Sequence, residues 1–491
     1  MKNRKYPLLI TLVLLSGGLL AYTVARATLL SMTHDESTTF WLRNMDLLSC
    51  FFSEKCWGNA NNHLLNTWLM KRSMGIFGVS ELSIRAPNLL AHLLYLYASA
   101  RIILYFERHM VVGIAGFMLI NFNPYLLDFF SLARGYGLSI GFIMASLAVL
   151  FHFLRHDRLR SLVLSYGLVF LAIMANFVAL NYLVSLWGTI FLLGFLQTSE
   201  GSVKISFRWR YQIETNIIPL AMTVVLVVLL YIPIRSLQGG GEFNFGAPHF
   251  QDTFRSLVSH SLYGVNYFSK NTAVIFGFVY AVAMLSSLAG AFWFFFRKPE
   301  EHWRRCYLAT ALLFLLSCLV MILQHYVLGS NYLVDRKLLI FILYSGLLFY
   351  FLLYGAADLL GKRFGGIAGA ILSLIIVYHA SRTVNFEYCR EWWYDRDTKE
   401  MVRYLEKLPL PADGVIDLGV NWVFQPSTSF YLYCMNMADF FTLPLDSNIR
   451  TDGRYDYYYV FSSDFPQLQD QYEIEKQFPA GAYLLRKKGL D

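Results

Sequence analysis

Residues 6–37 read YPLLITLVLLSGGLLAYTVARATLLSMTHDES. An apolar run from Tyr6 to Leu30 ends at Met32-Thr33-His34-Asp35-Glu36-Ser37, where two acids stand side by side. About 20 apolar residues cross a bilayer as a helix, so the run reads as a span and the acids emerge at the membrane surface. Lys2, Arg4 and Lys5 precede it, as in a signal peptide. The stretch is too long for a signal-peptide core and carries no small-residue cleavage site. We read it as a retained first span with the N-terminus inside.

The rest of the chain follows the same pattern. Of its 491 residues 56% are hydrophobic and 15% charged, with a mean hydropathy of +0.45. Soluble domains carry about 25% charged residues. This composition excludes an ordinary soluble enzyme, a disordered chain and a nucleic-acid-binding domain. Eleven apolar segments are long enough to span, near 6–30, 83–105, 110–130, 131–154, 159–176, 178–197, 215–235, 272–296, 304–327, 335–355 and 365–383. The net charge of +8 sits in short basic clusters between them. With the N-terminus inside, the cytoplasmic connections hold Arg108; Arg155, Arg158 and Arg160; Lys204, Arg208 and Arg210; Arg297, Lys298, Arg304 and Arg305; Lys362 and Arg363. The opposite loops are nearly free of Lys and Arg, which is the positive-inside pattern. The C-terminus then lies outside.

Two outer regions are more than turns. In the first loop, 31–82, segments Ser37–Leu48 and Asn62–Phe77 read as amphipathic helices in the interface. The loop Gln238–Lys270 opens with Gly239, Gly240 and Gly241 and is either a lid or a plain connector. From 384 to 491 the tail becomes charged and aromatic, with helices at Asp397–Leu408 and Ser427–Met437 and strands at Val415–Val420, Asp456–Ser462 and Gly481–Lys487. Helices alternating with strands suggest a small α/β domain, without a glycine-rich nucleotide motif. Six cysteines are too few for a disulfide scaffold. Cys306 and Cys318 read as inert core residues, and Cys50 and Cys56 are either a local disulfide or two thiols.

Four places carry chemistry. Asp35 and Glu36 are one: a base toward an acceptor hydroxyl, or acids favourable to a helix start with Asp35 or Ser37 as its cap. Asn61-Asn62-His63 is the second. His63 is a satisfied polar residue, or joins Asp35, Glu36 or His34 around a metal or a phosphate. The third is Asp128 with Ala133-Arg134-Gly135-Tyr136 at an outer turn. A charge just inside an apolar run needs a partner, so Arg134 pairs with Asp128 or another acid, or holds a phosphate. The fourth is Arg336-Lys337, two cations on the side where cations are rare; they meet an anion such as a lipid phosphate, or snorkel to headgroups. All four share one membrane face. Transfer from a phosphate-linked lipid requires such a set: a base for the acceptor, cations for the departing phosphate and apolar grooves for the tail. An ion-coupled carrier would place ionisable residues at the span midpoints, which here are almost uniformly apolar.

In this order the residues resemble the GT-C glycosyltransferases, membrane enzymes using polyprenyl-phosphate-linked sugars. The nearest groups are the family 39-type protein O-mannosyltransferase-like proteins and the lipid A aminoarabinose transferase. The likeness rests on Asp35-Glu36, then Asn62-His63, then Gly78-Val79-Ser80-Glu81-Leu82-Ser83-Ile84-Arg85-Ala86-Pro87, then Ala133-Arg134-Gly135-Tyr136, with Arg336 near a late outer loop. It is strongest over 31–140. Two departures stand out: Leu64 where many relatives have Pro, and Leu132 where many have Glu, leaving Asp128 as the nearest substitute for that acid.

The resemblance implies a polytopic α-helical GT-C-like fold of about eleven transmembrane helices, with a catalytic unit over 1–383 and a periplasmic α/β domain over 384–491. It implies inverting transfer of a sugar from a polyprenyl-phosphate donor to an acceptor hydroxyl at the outer face of a bacterial inner membrane. Asp35 is the expected base, supported by Glu36 or Asp128. Asn62, His63, Arg134, Tyr136, Arg336 and Lys337 are the expected donor ligands. Metal use varies in the family, so no cofactor is assigned; a divalent metal is possible, with Glu36 and His63 as its candidates. The expected partners are the lipid-linked donor, a protein, lipid or glycan acceptor and membrane lipids, with no nucleic acid. A lipid-linked oligosaccharide ligase, a lipid-linked sugar flippase and a non-catalytic scaffold are the alternatives.

Overall fold

The computed structural model describes residues 5–46, 48–57, 61–106, 109–199, 202–411 and 414–490. The expected loop cations Lys2, Arg4 and Arg108 lie outside the described residues.

Helices dominate. In chain order they are α1 (Lys5–Leu29), α2 (His34–Trp41), α3 (Leu64–Phe77), α4 (Glu81–Phe106), α5 (Met110–Asn121), α6 (Pro124–Phe130), α7 (Gly135–His156), α8 (Leu159–Ala175) and α9 (Ala179–Leu193). A short hairpin, β1 (Leu196–Ser199) and β2 (Ser202–Ile205), leads to α10 (Trp209–Gly239), α11 (Phe250–Leu262), α12 (Thr272–Arg297), α13 (His302–Leu328), α14 (Leu339–Leu360) and α15 (Lys362–Thr383). Among the described residues eight helices, α1, α4, α7, α10, α12, α13, α14 and α15, are long and apolar enough to cross a membrane. The bent pair α5 and α6 makes a ninth, and α8 and α9, of 17 and 15 residues, are shorter apolar helices. Each of the eleven expected segments is helical, but three are not single long helices.

The bend explains one of the three. α5 and α6 meet at 62°. Pro124 lacks the N–H that would continue α5 and disfavours helix in the residue before it. Asn123 instead caps α6, its Oδ1 accepting from Leu126 N–H at 3.1 Å. The Tyr95 hydroxyl satisfies the Ile120 carbonyl beside the break at 2.8 Å. Similarly, Asn176 separates α8 from α9. α4, α7 and α8 pack side by side, α9 lies on α13, and α14 and α15 lie on α5. α12 and α15 bury few of their apolar side chains, which leaves that surface for lipid.

The first loop begins earlier than expected. Thr33 caps α2 and Glu36 closes a capping box, so the helix starts at His34 and both acids fall in its first turn, where the helix dipole favours them. α2 has only eight residues. Cys50 and Cys56 form a disulfide. Its neighbour Trp57 donates from Nε1 to the Cys50 carbonyl at 2.7 Å and lies against Phe177. The loop after α10 is not a plain coil, since it contains α11.

Beyond α15 lies a small domain: α16 (Thr398–Leu405), β3 (Ile416–Val420), α17 (Gln425–Cys434), β4 (Phe441–Thr442), β5 (Tyr457–Phe461), β6 (Tyr472–Gln477) and β7 (Ala482–Lys487). The five strands are ordered β4-β3-β5-β7-β6, with β3 parallel to β4 and β5, and β7 antiparallel to β5 and β6. β4 and β6 had no counterpart in the sequence reading. The domain is seated on the first loop through one apolar cluster that joins Met32, Phe40, Met70 and Ile84 to Leu418, Phe424 and Phe430. The Phe40 and Phe430 rings meet edge to face at 5.0 Å.

Candidate functional site

The C-terminal end of α1, the N-terminal ends of α4, α7 and α14, and the short α2 meet at one end of the bundle. Their sequence explains how each polar group is aimed. The segment 131–134 is held on both sides of Ala133: its N–H donates to Glu36 Oε1 at 2.6 Å, and its carbonyl accepts from Asn66 Nδ2 at 3.0 Å. Asn88 continues the chain, donating to Asn66 and accepting from Leu138 N–H. Arg134 therefore projects from a fixed backbone. The next residue must be glycine, because a Cβ on Gly135 would stand 2.0 Å from the Ala175 carbonyl and 2.8 Å from His63.

The Asp35 carboxylate lies between two guanidinium groups. Its Oδ2 is 3.1 Å from Arg134 Nη2 and 3.5 Å from Arg336 Nη2. This oxygen is buried yet accepts no hydrogen bond. Arg134 Nη1 donates to Thr39 Oγ1 at 2.9 Å, and Nη2 donates to Asn61 Oδ1 at 3.1 Å, while its Nε is buried without a partner. Arg336 Nε donates to the Tyr136 hydroxyl at 3.3 Å, and Nη1 pairs with Glu391 at 2.6 Å. Arg336 is one-third exposed where Arg134 is buried, so the cluster opens on the Arg336 side. Lys337 donates from Nζ to the Phe245 carbonyl at 2.7 Å. With Arg336, Tyr136, Ser139 and Asn176 it lines a cavity of about 20 Å³. A larger apolar pocket of about 410 Å³ lies among Met118, Phe122, Tyr267, Phe276, Phe349 and Ile375, and neither Asp35, Arg134 nor Arg336 lines it.

His63 packs its ring edge-on to Tyr136 at 5.2 Å and keeps Nε2 buried without a partner. Burial, with Arg134 and Arg336 close by, holds this imidazole well below its ordinary value, so it is neutral. Unpartnered buried polar atoms on Asp35, His63, Arg134 and Asn176 thus gather around one spot. Buried polar groups are otherwise almost always paired; such a gathering is what a site built for a polar ligand leaves behind.

Other sequence candidates sit elsewhere. Glu36 is fully buried and closed: Oε1 accepts from Arg85 Nε at 2.8 Å and from Ala133 N–H, and Oε2 accepts from Arg85 Nη2 at 2.7 Å and Thr33 N–H at 3.1 Å. Asp128 does not pair with Arg134. It pairs with Arg26 and accepts from the Tyr263 hydroxyl at 2.9 Å and Arg390 N–H at 2.9 Å, because the bend turns α6 toward α1. Asn62 serves its own loop, donating to the Cys56 carbonyl and accepting from Thr67. His34 turns away to the Val423 carbonyl.

A metal held by Glu36 and His63 does not fit: both Glu36 oxygens are already satisfied, and no three His, Cys, Asp or Glu side chains converge among the described residues. Asn61, the first residue of the Asn61-Asn62-His63 stretch, holds Arg134, and Glu391, which holds Arg336, escaped the sequence reading. Glu391 follows the last span with no motif around it; acids recurring at 387, 391 and 395 were its only signal.

No protein-family model matches the chain, and no curated protein matches its sequence. Solved structures do. ArnT from Cupriavidus metallidurans in the apo state aligns with a TM-score of 0.50 over 97% of each chain at 11% identity. ArnT bound to undecaprenyl phosphate gives 0.51 over 98% of each chain at 12% identity. The chain shares the ArnT fold. This is the GT-C fold expected from residues 31–140, and at such identities the likeness is one of architecture. AglB from Archaeoglobus fulgidus, in complex with an inhibitory peptide and a dolichol-phosphate, aligns with a TM-score of 0.47 at 11% identity, over 99% of this chain and 75% of that one.

Proposed function

We propose that the chain is an inverting glycosyltransferase that moves a sugar from a polyprenyl-phosphate carrier to an acceptor hydroxyl, on the periplasmic side of a bacterial inner membrane. The carrying observation is the Asp35 carboxylate held between Arg134 and Arg336, at 3.1 and 3.5 Å. Its occurrence on the fold of ArnT, for which an undecaprenyl-phosphate complex exists, supports the lipid class of donor.

In this reading Asp35 takes the proton of the acceptor hydroxyl. The acceptor oxygen bonds to the anomeric carbon from the face opposite the phosphate. The bond from that carbon to the phosphate oxygen breaks, and the phosphate leaves with the electron pair. The open edge of Arg336, with Lys337 beside it, stabilises the charge on the departing phosphate, the term that dominates such catalysis. Arg134, anchored by Thr39 and Asn61, keeps Asp35 in place. Neutral His63 and Tyr136 shape the wall, and the carrier's isoprenoid tail lies in an apolar groove among the helices.

The test is transfer of labelled sugar from a synthetic polyprenyl-phosphate donor by the purified protein. Transfer that depends on Asp35 and Arg336 supports the reading. A protein that binds and processes no polyprenyl-phosphate donor refutes it.

A further inference from the structure

One stretch, 385–397, between α15 and the sheet domain, touches three of the charged groups at this end of the bundle, Arg26, Asp128 and Arg336. The Asn385 and Tyr388 carbonyls accept from Arg26. Arg390 N–H donates to Asp128. Glu391 accepts from Arg336 twice, at the backbone N–H (2.9 Å) and at Nη1 (2.6 Å). The next ring, Trp392, lies 5.2 Å from the Arg336 guanidinium carbon. Asp395 accepts from His34 N–H at 2.6 Å, at the start of the helix that carries Asp35, and from Ser427 Oγ at 2.6 Å. The Arg396 carbonyl accepts from Ser31 Oγ at 2.7 Å.

We propose that this stretch is a positioning strap, and that Glu391 is the residue through which it aims Arg336 at Asp35. A long arginine side chain has many rotamers to lose before it can hold a ligand. Glu391 removes that freedom, because it grips both the backbone and one edge of the guanidinium. The opposite edge, Nε and Nη2, is left facing Tyr136 and Asp35. Glu391 is itself fixed from behind by the Tyr125 hydroxyl and is largely buried, so it is no loose surface acid competing for the cation. At its other end the strap sets the Asp35 side of the same gap, through Asp395 and the first turn of α2. The strap thus fixes both members of the pair from outside the bundle, and Glu391 acts on the donor only through Arg336.

This rests on the reading of Arg336 as a phosphate ligand, and the experiment separates the two. Undecaprenyl phosphate is titrated into the full-length protein in detergent micelles, for wild type, R336Q, E391Q and the double variant. Glu391→Gln is expected to weaken binding roughly tenfold, the scale of one charge-assisted hydrogen bond, and to have no further effect once Arg336 is gone. If E391Q does not fold, Tyr125→Phe replaces it, with an expected loss of roughly threefold that again vanishes in the R336Q background. Such non-additivity in affinity marks action on the ligand through a shared partner, whereas an ion pair that only stabilises the fold leaves the affinity of the folded protein unchanged. Unchanged affinity in both E391Q and Y125F, or an equal loss with and without Arg336, overturns the strap alone. A wild type that does not bind undecaprenyl phosphate, or an R336Q that binds it as wild type does, overturns the phosphate reading and the strap with it.

Discussion

Asp35 and Glu36 are neighbours in sequence, lie in the same helical turn and each meet arginine, yet they end in opposite states. Glu36 has both oxygens satisfied by Arg85, Thr33 and Ala133, and no surface. Asp35 shares two arginines but leaves a buried oxygen without a hydrogen bond. A closed pair stiffens the fold; an open one is available to a ligand. One turn of helix supplies both, since a step of one residue rotates the side chain by about 100°.

The largest effect should come from the open side. Asp35→Asn is expected to lower transfer about a thousandfold, within the range for a lost general base, with a lower melting temperature as well because buried Arg134 loses its counter-charge. If activity persists, the contrast between the two acids is broken. The closed side should respond in stability. Glu36→Gln leaves Arg85 buried without its counter-charge, and we expect a loss of about 3 kcal/mol, read as a drop in thermal midpoint in detergent. The pair Glu36→Gln with Arg85→Met should recover part of it. Should Glu36→Gln instead melt like wild type, the clamp is not what holds α2.

Cys50→Ser with Cys56→Ser releases the small loop that leads to Asn61, a partner of Arg134. We expect about 2 kcal/mol of destabilisation for a loop this short, together with weaker undecaprenyl phosphate binding. The smallest effect is in pH. His63 is held below its unfolded value of 6.5, so below pH 6.5 the unfolded chain binds a proton that the folded chain refuses. Stability from this group is complete above 6.5 and falls as pH drops, by at most about 1.4 kcal/mol per pH unit. His63→Gln should flatten that slope in acid melting curves.

The spans were legible because apolar length and loop charge are properties of local sequence. The bend at Asn123-Pro124 was legible in principle, since proline cannot continue a helix, but the apolar run from 110 to 130 concealed it. That an Asp-Glu pair follows the first span could be read; which acid stays open could not. The choice depends on Arg85 arriving from α4 and on Arg134 and Arg336 arriving from the segments that lead into α7 and α14. Asp128 is close to Arg134 in the chain, and it is the bend that sends it to Arg26 instead. Glu391 was silent for the same reason: its partners lie 55 and 266 residues away.

The contacts that seat the sheet domain also set an order of assembly. Met32 N–H donates to the Tyr431 hydroxyl across 399 positions of sequence, and Ser31 reaches Arg396 across 365. A chain emerging from the ribosome has already threaded its helices when these partners are made. Asp35 and Glu36 meet Arg134 and Arg85 early, but Ser31, Met32 and His34 beside them wait for residues 395–431. The turn that carries Asp35 therefore reaches its final hydrogen bonding only after the sheet domain has folded against it.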